Sequence, residues 1–161
     1  MAKGGSGVAA GIQELLIFVR AAVAAVLSVL AAHLLRLPEF YWAPISALVV
    51  LLSTTNPLDS AWQRFAGTAV GAALGALIAT FVHPTWLIYG VAVLVCGMVC
   101  AMLRLQTSFR IAAITLTIIL LIPHTGSQWV VALHRFIEVS LGIAVALALA
   151  FVFRLPSSAK I

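Results

Sequence analysis

The chain has 161 residues, of which 64% are hydrophobic and 8% charged, with a formal net charge of +5. A domain this small keeps much of its surface in solvent, and nine Lys+Arg with four Asp+Glu cannot cover that surface. With a mean hydropathy of +1.21, a soluble globular fold is excluded, and so is disorder, which needs low hydrophobicity. What remains is an integral membrane protein.

A membrane-crossing helix needs about 20 apolar residues for roughly 30 Å of hydrocarbon. Residues 1–13, glycine-rich as far as Gly7, read as a flexible cytoplasmic tail. A first helix is predicted from Glu14 to Leu35, with Arg20, Ser28 and His33 as its polar residues, ending at Leu37-Pro38-Glu39 because proline cannot continue a helix. It is too long for a signal-peptide core and is expected to be retained. A second runs from Phe40 to about Thr54 and contains Pro44; the turn-rich stretch Ser53 to Ser60 closes it. The third extends from Trp62 to His83-Pro84, the fourth from Trp86 to Leu103, the fifth from Phe109 to Ile122 and the sixth from Val130 to Phe153. Arg104 to Ser108, Pro123 to Ser127, and Pro156 provide the remaining breaks. The expected architecture is all-α: one module of six transmembrane helices over residues 14–156, with a cytoplasmic tail at 157–161. The second and fifth helices are short and end in polar, proline-containing sequence, so re-entrant or broken helices stand as the alternative there.

Basic residues set the orientation. With a cytoplasmic amino terminus, Lys3, Arg64, Arg104, Arg110, Arg154 and Lys160 fall inside, leaving Arg36 and Arg135 outside. The positive-inside bias thus puts both termini in the cytoplasm, which requires an even number of spans. The basic residues are spread singly, without the clustering that nucleic-acid binding demands. A weak repeat, R-F-A-G-T-A-V-G from Arg64 and R-F-I-E-V-S-L-G from Arg135, suggests an inverted three-plus-three arrangement; shared interfacial Arg and Trp in unrelated membrane helices would explain it equally.

Gly67, Gly71 and Gly75, extended by Ala79, make a doubled small-xxx-small ridge that lets another helix approach closely, either within one subunit or at a dimer seam. Arg20 either snorkels to the interface or faces a cavity. Arg64 and Arg135 lie near helix amino ends, where the macrodipole opposes a cation. Two readings compensate for this: ion pairs with Asp59 and Glu138 respectively, or an anion site built from guanidinium and helix terminus. Glu138 is a candidate proton carrier if unpaired, and fixed and ionised if it pairs with Arg135. The aromatic residues mostly mark interfaces, but Tyr41-Trp42 also suit a ligand-stacking wall. Cys96 and Cys100 fit small buried side chains on one helical face, and no metal-ligand spacing, cofactor motif or enzyme signature is present.

Tyr41-Trp42-Ala43-Pro44-Ile45-Ser46, the Arg64 to Gly71 stretch, and Arg135-Phe136-Ile137-Glu138 with Gly142 together resemble the FUSC family. That family includes fusaric-acid-resistance-type and aromatic-acid exporters of bacteria and is similar to the aluminium-activated malate channels of plants. The resemblance runs from about Arg20 to Pro156. It implies a six-helix module of the bacterial inner membrane that moves organic anions, often aromatic carboxylates, outward. It places the site at Tyr41, Trp42, Arg64, Gly67, Thr68, Arg135 and Glu138, to which the residues themselves add Arg20. Typical bacterial members resemble two modules with soluble segments in one chain, whereas one module is seen here; a homodimer about a two-fold axis is the expected way to rebuild the pair.

The leading expectation is therefore a homodimeric permease for organic anions, without cofactor or catalytic activity. Two others stand beside it: a non-transporting scaffold that binds a partner through the glycine ridge, and a passive anion channel.

Overall fold

The computed structural model describes residues 4–83, 85–122 and 126–153, with side chains from residue 11 onward. Pro84, Pro123, His124 and Pro156, and the orienting residues Lys3, Arg154 and Lys160, lie outside the described residues. Six α-helices are present among those described: α1 (Gly4–Leu34), α2 (Trp42–Leu51), α3 (Pro57–Phe81), α4 (Trp86–Met102), α5 (Phe109–Leu121) and α6 (Gln128–Val152). A one-turn helix, Gln106–Ser108, leads into α5.

Local chemistry accounts for the boundaries. The Asn56 side chain caps α3 by accepting the Leu58 N–H at 3.2 Å, with Pro57 in the first turn, where its missing N–H costs nothing. Pro44 is tolerated in α2 for the same reason, since it sits in the first turn. The Thr85 hydroxyl caps α4. The Gly4 start of α1 precedes the expected Glu14; no proline interrupts the intervening residues, and their alanines favour helix.

Both α1 and α4 end in one and the same turn. Arg36 and Arg104 adopt φ of 53° and 57°, and the following Leu37 and Leu105 donate their N–H groups back to Ala32 (3.1 Å) and Cys100 (2.7 Å). This is the left-handed cap that usually takes glycine; a cation there complements the negative helix end.

The central pair is α3 and α6, which run antiparallel. Ala72 and Ala76 cluster with Ala132 near the start of α6, whereas Ala61 shares a cluster with Val139, Ile143 and Leu149. Against α6 runs α2, parallel to it: a Cβ on Gly142 would collide with the Ala43 carbonyl and lie 2.8 Å from the Ser46 Cβ. Against α3 runs α5, also parallel. A Cβ on Gly71 would strike the Ala112 carbonyl, and one on Gly67 would lie 2.7 Å from the Ser108 carbonyl oxygen. The glycine ridge of α3 is thus buried against α5 within the chain, which leaves it unavailable as the partner-binding seam of a scaffold. Outermost lie α1 and α4, which expose Phe18, Val26 and Leu34, and Trp86, Leu94 and Met102. Such wide apolar exposure is what a surrounding bilayer accommodates.

Three helices (α1 from Gly11, α3 and α6) are long and apolar enough to cross a membrane by length and composition. The 10 residues of α2 span only about 15 Å at 1.5 Å each. Six helices are present, but three of them fall short of the crossing length that six full spans would need.

Candidate functional site

The buried charged residues comprise a cluster around Arg135 and, apart from it, the guanidinium of Arg64. The cluster lies where the α1–α2 connection meets α6. Arg135 is 2% exposed, and its Nη2 lies 2.6 Å from Glu39 Oε2. Its guanidinium carbon sits 4.0 Å from the centroid of the Trp42 ring, a cation–π contact strengthened by burial. The Trp42 indole N–H donates to the same Glu39 oxygen at 3.1 Å. Glu138 is fully buried, and its Oε1 accepts the Glu39 backbone N–H at 3.0 Å.

Of the two open readings of Arg135, the described ion pair is with Glu39 rather than Glu138. Three residues apart on one helix, both side chains instead turn toward the residue entering α2: Arg135 takes the Glu39 carboxylate and Glu138 takes its N–H. It also alters the stacking wall, because one face of Trp42 is occupied by Arg135. Tyr41 remains 46% exposed, with its ring 5.6 Å from that of Trp42. Desolvation, then the Glu39 carboxylate, holds the Tyr41 hydroxyl above its ordinary range.

Arg64 is different. It is 8% exposed, yet its Nε has no hydrogen-bond partner. The ion-pair reading with Asp59 is not realised among the described residues: Asp59 lies exposed in the first turn of α3, where an acid complements the helix end, while Arg64 is buried. Next to it, Phe65 meets Phe136, the neighbour of Arg135, with ring centroids 5.0 Å apart. The two Arg-Phe pairs therefore converge on the α3–α6 interface.

The other expected residues scatter. Thr68 is buried at 1% exposure. Gly67 lies against α5, so its contribution is close helix packing. Arg20 is half-buried on α1, with its Nε unpartnered. A shallow depression of about 350 Å³ on α1, lined by Ala25, Val26, Val29, Leu30 and His33, is apolar and borders none of the arginines. Cys96 and Cys100 are buried and unpaired, packed against α5 with Ala112 and Leu116.

Glu39 was missed as a site residue because its place in Leu37-Pro38-Glu39 marks a helix break. The available signal was scarcity: with four acids in the chain, each one beside an apolar helix needs a reason. Ser108, buried at 1% exposure with an unpartnered hydroxyl, carried no signal in the sequence.

Residues 23–149 match the family model described as fusaric acid resistance protein-like. No curated protein and no solved structure gives a significant match.

Proposed function

Because the chain belongs to the fusaric acid resistance protein-like family, a family of membrane transport modules, we propose that it is a permease module for organic anions, with aromatic carboxylates as its substrates. The observation that carries this reading is Arg64: a guanidinium more than nine-tenths buried in a crossing-length helix, with no described carboxylate beside it. Arg64 lies about two turns into α3, and an unpaired cation in a bilayer-spanning helix costs up to about 2.5–3.5 kcal/mol on insertion scales, the value reached at a helix centre. A passing anion would supply the missing counter-charge. Arg135 is already neutralised by Glu39, so the anion-facing role falls to Arg64, with Thr68 one turn on in α3 and with the half-buried Arg20 and the exposed Tyr41 as further candidate contacts.

The module is read as two halves of three helices, inverted with respect to each other, in a bacterial inner membrane with both termini in the cytoplasm. Supporting the inversion are the antiparallel α3 and α6, the matching Arg36 and Arg104 turns, and the matching approach of Gly71 and Gly142 to carbonyls of α5 and α2. A homodimer would enclose the passage between copies of these halves.

Efflux of benzoate from proteoliposomes tests the reading. Benzoate should leave faster than from protein-free vesicles, and the excess should vanish in Arg64→Ala. Equal efflux from both kinds of vesicle would remove the permease and leave a non-transporting membrane protein.

A further inference from the structure

We propose that Arg64 and Ser108 form an open carboxylate-binding site, the counterpart of the closed site in which Arg135 holds Glu39; this rests on the permease reading and on the inverted halves above. The correspondence is residue by residue. Arg64 and Arg135 each precede the phenylalanine that meets its opposite number at the α3–α6 interface. Gly71 and Gly142 each abut a backbone carbonyl, of Ala112 and Ala43 respectively. One turn earlier, Gly67 abuts the Ser108 backbone, just as Glu138 meets the Glu39 backbone. Ser108 and Glu39 each follow a Leu-Arg-Leu turn and each directly precede a phenylalanine, Phe109 and Phe40.

The chemistry at these matched positions differs in one direction. Around Arg135 stand Glu39, Trp42 and Glu138; the corresponding positions toward Arg64 are Ser108, Ile111 and Gly67, of which Ser108 and Ile111 lie against Gly67, three residues on from Arg64. Every one is smaller, and none is acidic. Arg64 Nε and Ser108 Oγ are both buried without partners; Arg135 likewise leaves Nε and Nη1 unpartnered, but its Nη2 holds the Glu39 carboxylate, and no described carboxylate does this for Arg64. A carboxylate accepts from a guanidinium fork and a hydroxyl together. An aromatic carboxylate would reproduce in one molecule what Arg135 receives from two side chains: an ion pair and a ring beneath the guanidinium. Glu39 with Trp42 is thus a tethered version of the ligand, and Ser108 is the residue that leaves Arg64 without an internal carboxylate of its own.

Benzoate titration of the purified full chain in nanodiscs, read by calorimetry, tests the site, with benzamide as the neutral isostere and chloride as a simple anion. Wild type should bind benzoate but neither control. Ser108→Ala, which removes the hydroxyl donor but adds no bulk or charge, should bind several-fold more weakly than wild type and more tightly than Ser108→Glu. Ser108→Glu, which installs the internal carboxylate, should weaken benzoate by at least about tenfold, the scale of one charge-assisted hydrogen bond. Ser108→Gln, filling the space without charge, should weaken it too. Absence of benzoate binding in wild type, equal binding of benzamide, or wild-type affinity in both Ser108→Glu and Ser108→Gln would overturn the site. Benzoate binding lost in Ser108→Glu without benzoate flux in wild type would keep the site and remove the permease. Flux untouched by Ser108→Glu would keep the permease and remove the site.

Discussion

Replacing Glu39 by alanine removes the carboxylate that neutralises Arg135, and the cost can be worked from the geometry. Arg135 is 2% exposed and Glu39 25%. Breaking a buried pair from one side costs about 3–5 kcal/mol; the exposed quarter of Glu39 admits water and lowers this to about 2–3 kcal/mol. Arg135→Met leaves Glu39 partly hydrated and should cost less, about 1 kcal/mol. The double variant removes both charges, so the coupling energy should be about 2 kcal/mol. Reversible unfolding in mixed micelles, followed by circular dichroism, measures the cycle. The parallel cycle of Glu138→Gln with Arg135→Met should show much weaker coupling, because a Gln carbonyl still accepts the Glu39 N–H. Stronger coupling of Arg135 to Glu138 than to Glu39 would refute the assignment.

Other outcomes follow from packing. Gly71→Ala and Gly142→Ala drive a methyl into a backbone carbonyl, which cannot rotate away. Each should lower stability by about 1–3 kcal/mol, whereas Gly90→Ala, with nothing within 4 Å, should gain up to about 1 kcal/mol; thermal melts rank the three. Arg36→Gly and Arg104→Gly relieve left-handed arginines and should each stabilise by about 1 kcal/mol, with unequal signs counting against matched turns. Cys96 and Cys100, at 0% and 1% exposure, should resist maleimide in the native protein and react after denaturation; rapid native labelling would contradict the α4–α5 packing.

Much of the fold could be read from apolar run length and breakers. Trp86 and Phe109 start helices where expected, because a capping Thr85 and a polar turn precede them. The short α2 and α5 were legible as short, but their partners were not, since nothing local says that Gly142 will meet Ala43. The likeness of the Arg64 and Arg135 stretches was visible in the sequence, whereas the likeness of the turns at Arg36 and Arg104 was not. Leu-Arg-Leu is followed by Pro38-Glu39-Phe40 after α1 and by Gln106-Thr107-Ser108-Phe109 after α4, and the extra residue obscures the likeness of the two segments. Site residues fared worse for a physical reason: spacing along one helix favours near partners such as Arg135 and Glu138, whereas the observed pair joins residues almost a hundred positions apart through the α2–α6 contact.

The most direct test compares the two arginines in one assay. Benzoate efflux from proteoliposomes should collapse in Arg64→Gln and persist in the double variant Glu39→Gln/Arg135→Gln, whose lost charges neutralise each other within the chain. Persistence in Arg64→Gln, with collapse in the double variant, would contradict the account by placing the transported anion at Arg135.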